Sequence, residues 1–316
     1  MLHHYRYIQR IKRRRPPVPL LRGRIIGELL DQVWADQSLT TVVDKYEKEF
    51  GHIFREEREL YGNLLEESVR IATGYAEFYD EQPYRLVATE EKIEFELSPG
   101  ITFIGYIDKH LERLDDKSEW VLDHKSHKRM PDEDSRFADL QLVFYSWGGH
   151  VAGLYKKPPG IVWDYLRTKP PTIPEVLANG KGLSKRMNID TTPRVYREAI
   201  RKNGFKLRDY ADILQHLRGN TASFYRRVIL PPPNRDMVNS VVRDLKVSAA
   251  EIKATGDINT VRSMSRDCKS CEFYMLCASE VRGLDTAYMR AKEFEPRKGD
   301  DRGNTKESEE ADSSDD

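Results

Sequence analysis

Apolar positions along the 316 residues change period several times. From Gly23 to Trp34 they recur at Ile25, Ile26, Leu29, Leu30 and Val33, one broad face at helical spacing. A second helical stretch is expected from about Glu56 to Tyr79. Three short runs rich in strand-forming residues follow, Lys92 to Leu97, Ile101 to Asp108 and Trp120 to Lys125. Ser98-Pro99-Gly100 reads as the turn between the first two, and Asp115-Asp116-Lys117-Ser118 as a polar turn before the third. Phe137 to Leu154 returns to helical spacing, with Phe137, Leu140, Phe144, Trp147, Val151 and Leu154 stepping by three and four. Gly160 to Leu166 holds another strand. The predicted order is helix, three strands, helix, strand, with a mostly helical remainder up to about Met289. Pro16-Pro17 sets off an N-terminal arm, and Pro231-Pro232-Pro233 reads as a stiff connector.

Composition narrows the setting. Hydrophobic residues are 39% and charged residues 33% of the chain, which suits a water-facing globular protein. No apolar run approaches the ~20 residues of a membrane helix, so no membrane partner is expected. The start, Met1 to Arg6, lacks the apolar stretch of a secretory signal. Three cysteines, an odd number and close together, argue against a secreted disulfide framework. A cytoplasmic location is expected. The formal net charge of zero hides an asymmetry: Lys298 to Asp316 carries eight acidic and three basic residues, a net of −5, which leaves +5 for the rest. Basic residues gather in the arm at Arg6, Arg10, Lys12, Arg13, Arg14, Arg15, Arg22 and Arg24. A basic body suits phosphate-rich partners, although a solvated surface is the plainer reading of charge alone. The tail from Lys298 has almost no apolar residues and is expected to be disordered.

The chemistry sits on the predicted strands. Asp108 ends the second run, and Asp123 and Lys125 lie two apart in the third. Alternation along a strand puts Asp123 and Lys125 on one face. An antiparallel neighbour ending in Asp108 would bring its carboxylate close to Asp123. Two such carboxylates suit a hard cation, Mg²⁺ or Mn²⁺, and repel each other without it. Lys125 would then orient an attacking water or stabilise developing phosphate charge. An ordinary ion pair at a strand end is the plain alternative. Gln141 and Tyr145, four apart on the next helix, add a polar stripe able to face the strand ends.

Gly105-x-x-Asp108, Asp123-x-Lys125 and Gln141-x-x-x-Tyr145, in this order, resemble the PD-(D/E)XK nuclease superfamily, in particular its RecB-like branch of phage and CRISPR-associated exonucleases. Leu166 to Pro171, Leu183-Ser-Lys185, Asp190 to Tyr196 and Cys268 to Cys277 extend the likeness to actinophage members, up to about Tyr288. The resemblance implies an α/β fold with a restriction-endonuclease-like core, a mixed central sheet flanked by helices, and a largely helical C-terminal region. It implies Asp108, Asp123 and the His124 backbone carbonyl as metal ligands, Lys125 as catalytic lysine, and Gln141 and Tyr145 as DNA contacts or site supports. Glu90 or Glu91 would match an acidic residue before the first strand. One departure stands out. The branch often carries Gly-x-x-x-His on its first helix, with the histidine binding metal, and Gly23-Arg-Ile-Ile-Gly27 has glycine there. Glu28 is the adjacent candidate ligand, rotated by about 100° around a helix.

Cys268-x-x-Cys271 followed by Cys277 has compact ligand spacing, whereas structural zinc and iron–sulfur clusters usually take four protein ligands. The resemblance implies a [4Fe–4S] cluster whose fourth cysteine lies far upstream. None does here, which leaves His3 or His4, an open cluster site, or three buried thiols. His110, His124 and His127 flank the Asp-x-Lys strand and are read as surface or DNA-facing.

The expected organisation is a basic arm (1–22), a nuclease domain (23–297) whose cysteine-bearing helical part starts near 167, and a tail (298–316). The expected function is a Mg²⁺- or Mn²⁺-dependent DNA nuclease, an exonuclease by resemblance, in phage DNA replication, recombination or repair. Its partners would be DNA and a helicase or recombinase, in the host cytoplasm if phage-encoded. A DNA-binding or scaffold protein impaired in catalysis on the same fold, and an adaptor with ordinary ion pairs, are the alternatives.

Overall fold

The computed structural model describes residues 2, 4–131, 140–255, 262, 265, 268 and 271–297. The expected tail and the expected start of the helix at Phe137 lie outside them. The chain divides into two units, Arg22–Lys246 and Met1–Leu21 with Val247–Asp316.

The larger unit is built on a five-stranded mixed sheet. Its strands are β2 (Tyr84–Ser98), β3 (Ile101–Arg113), β4 (Glu119–His127), β5 (Gly160–Arg167) and β6 (Tyr225–Leu230), side by side in that order. β2–β3, β3–β4 and β5–β6 are antiparallel, and β4–β5 is parallel. The tight turns fall where expected. Gly100 takes φ 69°, open to glycine without strain, and Asp116 Oδ1 accepts the Ser118 N–H at 3.0 Å. A parallel neighbour needs a crossover, and the chain between β4 and β5 carries a helix. That helix, α5, runs through Gln141–Val143, a π-helical turn Phe144–Gly148, and Gly149–Val151.

Helix α1 (Val18–Trp34) begins five residues earlier than the apolar pattern suggests, directly after Pro16-Pro17. Pro19 fits its first turn, where the missing N–H would have no intrahelical partner. Ile25, Ile26, Leu29 and Leu30 are buried, as the spacing predicts. The second helical stretch is broken: α3 (Arg55–Glu59) and α4 (Leu64–Phe78) are separated at Gly62, which takes φ 49°. α2 (Thr40–Gly51) buries only Val42 and Tyr46, too sparse a face to stand out in the sequence. Beyond β5 come α6 (Pro193–Lys202), α7 (Ala211–His216) and α8 (Arg235–Thr255). Strand β6 interrupts the region expected to be helical. It is an edge strand with only Tyr225 buried, so it has little apolar signature. Its first residue explains a glycine: a Cβ on Gly74 of α4 would collide with the Tyr225 hydroxyl, which donates to the Ile71 carbonyl at 3.1 Å.

The apolar stripe read on the helix before β5 is not its most buried face. Leu140 and Val151 are exposed, whereas Val143, Tyr145, Ser146, Gly148 and Gly149 are buried. Phe144 and Trp147 are half-buried against Phe103 and Phe95. The π-turn adds a residue to the helical repeat, which shifts the face that meets the sheet.

The smaller unit joins both ends of the chain. β1 (Ile11–Arg13) pairs antiparallel with β7 (Phe294–Pro296), preceded by α9 (Tyr274–Val281) and α10 (Ala287–Glu293). Tyr5 is buried, stacks on Phe273 at 5.2 Å, and donates to Glu280 Oε2 at 2.5 Å. Arg13–Glu293 at 2.6 Å and an Arg6–Glu272 pair tie the arm down. Many of the arm's basic residues are therefore spent on carboxylates of the same unit.

Candidate functional site

The two aspartates meet where the β3–β4 ladder ends. Pairing covers Glu112↔Glu119 to Lys109↔Leu122 and stops one position short of Asp108 and Asp123. In place of the next ladder bond, Asp108 Oδ2 accepts the His124 N–H at 3.1 Å. On the other side of β3 the register runs from Thr89↔Lys109 to Glu91↔Ile107. Glu90, between them and opposite Asp108, takes φ 51°, a strained conformation for a side chain of this size. Asp108 thus lies at the end of the β3–β4 ladder and opposite the irregular residue of β2. Glu90 and Glu91 lie inside β2 rather than before it.

Asp123 is the buried member of the pair, 3% exposed. Burial first, then the charge of Asp108, push its carboxyl up to about 7, against the pull of Lys125 and a hydrogen bond from Tyr145. Its Oδ1 accepts from the Tyr145 hydroxyl at 3.2 Å. Its Oδ2 is buried without a well-formed hydrogen bond and meets Lys125 Nζ at 2.7 Å as an ion pair. Lys125 Nζ also donates to Gln141 Oε1, and Gln141 Nε2 donates to the Tyr145 hydroxyl at 3.0 Å. Asp123, Lys125, Gln141 and Tyr145 form a closed ring of contacts between β4 and α5. Below it lies Trp163, paired with Asp123 in the parallel register and fully buried, its ring centroid 4.9 Å from Nζ.

Glu28 is engaged by α2. Its oxygens accept from the Tyr46 hydroxyl at 2.8 Å and Lys45 Nζ at 2.9 Å, both on α2. The acidic residue of α1 that the sequence reading missed is Asp31. It pairs with Lys109 Nζ at 2.5 Å, and Lys109 is only 1% exposed. Burial raises the Asp31 pKa, and the charges of Asp108 and Glu28 outweigh part of the help from Lys109. A signal existed: Asp31 stands four residues beyond Gly27, one turn along the same helix face.

Two of the three histidines are not on the surface as expected, and His127 is half-buried. His110 is buried, with Nδ1 3.2 Å from Glu91 and Nε2 3.7 Å from Glu119. Both ring nitrogens of His124 are buried without a partner, and burial, reinforced by Lys109 and Arg227, holds the ring well below its usual pKa and so neutral. Its ring meets Tyr75 edge-on at 5.6 Å. Tyr75 belongs to a buried network on that face of the sheet: its hydroxyl donates to Asp164 Oδ2 at 2.5 Å, and Arg227 grips Asp164 through two bonds at 2.8 and 2.9 Å.

Among the described residues no three His, Cys, Asp or Glu side chains converge as a metal-binding group. The site offers two carboxylates, one with a buried oxygen lacking a good donor. That donor set fits a divalent cation of the Mg²⁺ type, which takes one or two carboxylates and fills its shell with water and phosphate oxygens. Cys277 is buried in the core with Tyr5 and Phe273, and Cys268 and Cys271 are half-buried.

A mixed sheet with antiparallel β2–β3–β4, a helical crossover to a parallel β5, and paired carboxylates beside a lysine at the ladder's end define a nuclease-type core. The family model of the PD-(D/E)XK nuclease superfamily matches residues 1–278, and the chain belongs to that superfamily. Comparison with curated proteins finds no match. No helix among the described residues is long and apolar enough to cross a membrane.

Proposed function

We propose that the chain is a divalent-metal-dependent deoxyribonuclease, with Asp108 and Asp123 as metal ligands, the His124 carbonyl beside them, and Lys125 as catalytic lysine. One observation carries this reading: a buried carboxylate, pushed up to about 7, meets a second carboxylate at the end of the β3–β4 ladder with a lysine against it. Such a pair is costly unless a cation or proton relieves it. A bound Mg²⁺ or Mn²⁺ would acidify water and neutralise phosphate charge. Lys125, anchored by Gln141, presents an ammonium to the phosphate and stabilises charge developing there. Tyr145 and Gln141 fix the orientation of Asp123 and Lys125, and the half-buried Gln141 amide also suits DNA contact.

The likeness to RecB-like phage enzymes favours an exonuclease in DNA replication, recombination or repair, with a helicase or recombinase as partner. Incubation with Mg²⁺ and linear or closed-circular DNA tests this. Loss of the linear form alone supports an exonuclease, cutting of both an endonuclease, and cutting of neither removes the proposal.

A scaffold or DNA-binding role on the same fold draws on Gly27 and on Glu28, whose carboxylate is engaged by α2. Retention of DNA without any metal-dependent cleavage would favour it.

A further inference from the structure

We propose that Trp163 is a positioning residue for Lys125, holding its ammonium at the site whether or not Asp123 is available to pair with it. The inference rests on the reading of Lys125 as the catalytic lysine. Parallel pairing sets Trp163 beside Asp123 on the neighbouring strand, and Lys125 follows two residues after Asp123 on the same face. The indole is fully buried, and Nζ of Lys125 stands 4.9 Å from its centroid, within the range of a cation–π contact. The indole N–H is buried with no hydrogen-bond partner, so the residue is not kept in place by its polar end. Its flat face is what the site uses.

The need for such a platform follows from the contacts of Lys125. In the metal-free state its ammonium pairs with Asp123 Oδ2. Once that carboxylate serves a divalent cation, the ion pair weakens and like charges repel. Gln141 and the Trp163 ring are neutral and keep their hold. A neutral π face therefore retains the lysine in the state in which DNA is bound.

The full-length protein labelled with ¹³Cε-lysine provides the test, with Lys125 assigned through Lys125→Arg. The Lys125 ε-methylene protons are expected upfield of solvent-exposed lysines, shielded by the ring, both without metal and after Mg²⁺ is added. This arm uses wild-type protein and needs neither DNA nor cleavage. A Lys125 signal at the position of exposed lysines, or one that moves there with Mg²⁺, overturns the proposal. In cleavage assays Trp163→Leu should lower kcat by about tenfold, the size of a half-buried cation–π contact, with KM for DNA little changed. Trp163→Phe should recover most of it. Equal kcat for the Leu and Phe variants contradicts the proposal. A shielded Lys125 in a protein that cuts no DNA supports the contact and counts against the nuclease reading alone.

Discussion

Asp123 Oδ2 and Lys125 Nζ lie 2.7 Å apart, two residues along one strand face, yet the ion pair does not bring the carboxyl back to its ordinary pKa. Burial and Asp108 outweigh the lysine, and the group titrates near 7. The pair is thus better described as a strained acceptor than as a stabilising salt bridge.

Its pH dependence has a definite sign. The folded state holds the Asp123 proton up to about 7, whereas an unfolded carboxyl loses it near 4. Stability therefore falls as pH rises from 4 to 7, and the deficit is fully present above 7. Asp123→Asn should stabilise the metal-free protein by on the order of a few kcal/mol at pH 8. That gain should vanish toward pH 4. Urea unfolding at the two pH values measures both.

The same titration governs cation loading. A proton on Asp123 competes with the metal, so apparent Mg²⁺ affinity should drop by about tenfold per pH unit below 7 and level off above it. Calorimetric titration between pH 5.5 and 8.5 reads this directly. Asp123→Asn should bind weakly at every pH.

Much of this site was legible in the sequence because its residues lie on short, regular elements. Strand alternation sets Asp123 and Lys125 on one face and one helical turn aligns Gln141 with Tyr145, whereas the family resemblance singled these residues out together with Asp108. Partners brought in from other elements were not legible. Trp163 reads as one more apolar strand residue until the parallel register sets it beside Asp123. Asp31 reads as a surface acid until α1 lays it on Lys109. β6 was missed because an edge strand with one buried residue carries no period of its own. His110 and His124 were misplaced because polarity alone says nothing of burial between packed layers.

The Asp31–Lys109 pair should behave asymmetrically. Asp31→Ala leaves an ammonium that is 1% exposed without its carboxylate, a loss of about 3–5 kcal/mol for a buried pair broken on one side. Lys109→Met should cost less, because Asp31 is a third exposed and can be hydrated. The double variant should recover much of the Asp31→Ala loss, as measured by denaturant unfolding. An Asp31→Ala protein as stable as wild type would sink this view of α1.

The smaller unit is held by Tyr5, the β1–β7 ladder and the arm's ion pairs. Replacing Cys268 and Cys271 by alanine should leave its thermal unfolding unchanged within a few degrees. Tyr5→Ala should lower it clearly, since a buried aromatic typically contributes about 3–5 kcal/mol. Iron and zinc analysis of anaerobically purified protein tests the cysteines for bound metal. A brown protein with stoichiometric iron would show that the cysteines do more than pack.

The most direct measurement is cleavage of linear DNA, with Mg²⁺ and with EDTA, by wild type, Asp123→Ala and Lys125→Ala. Wild type should degrade the DNA only with the metal, and each variant should lose about 10²-fold or more of the rate while keeping its fold. Equal rates for wild type and Asp123→Ala, or cleavage that persists in EDTA, would contradict the assignment of Asp108, Asp123 and Lys125 as the nuclease centre.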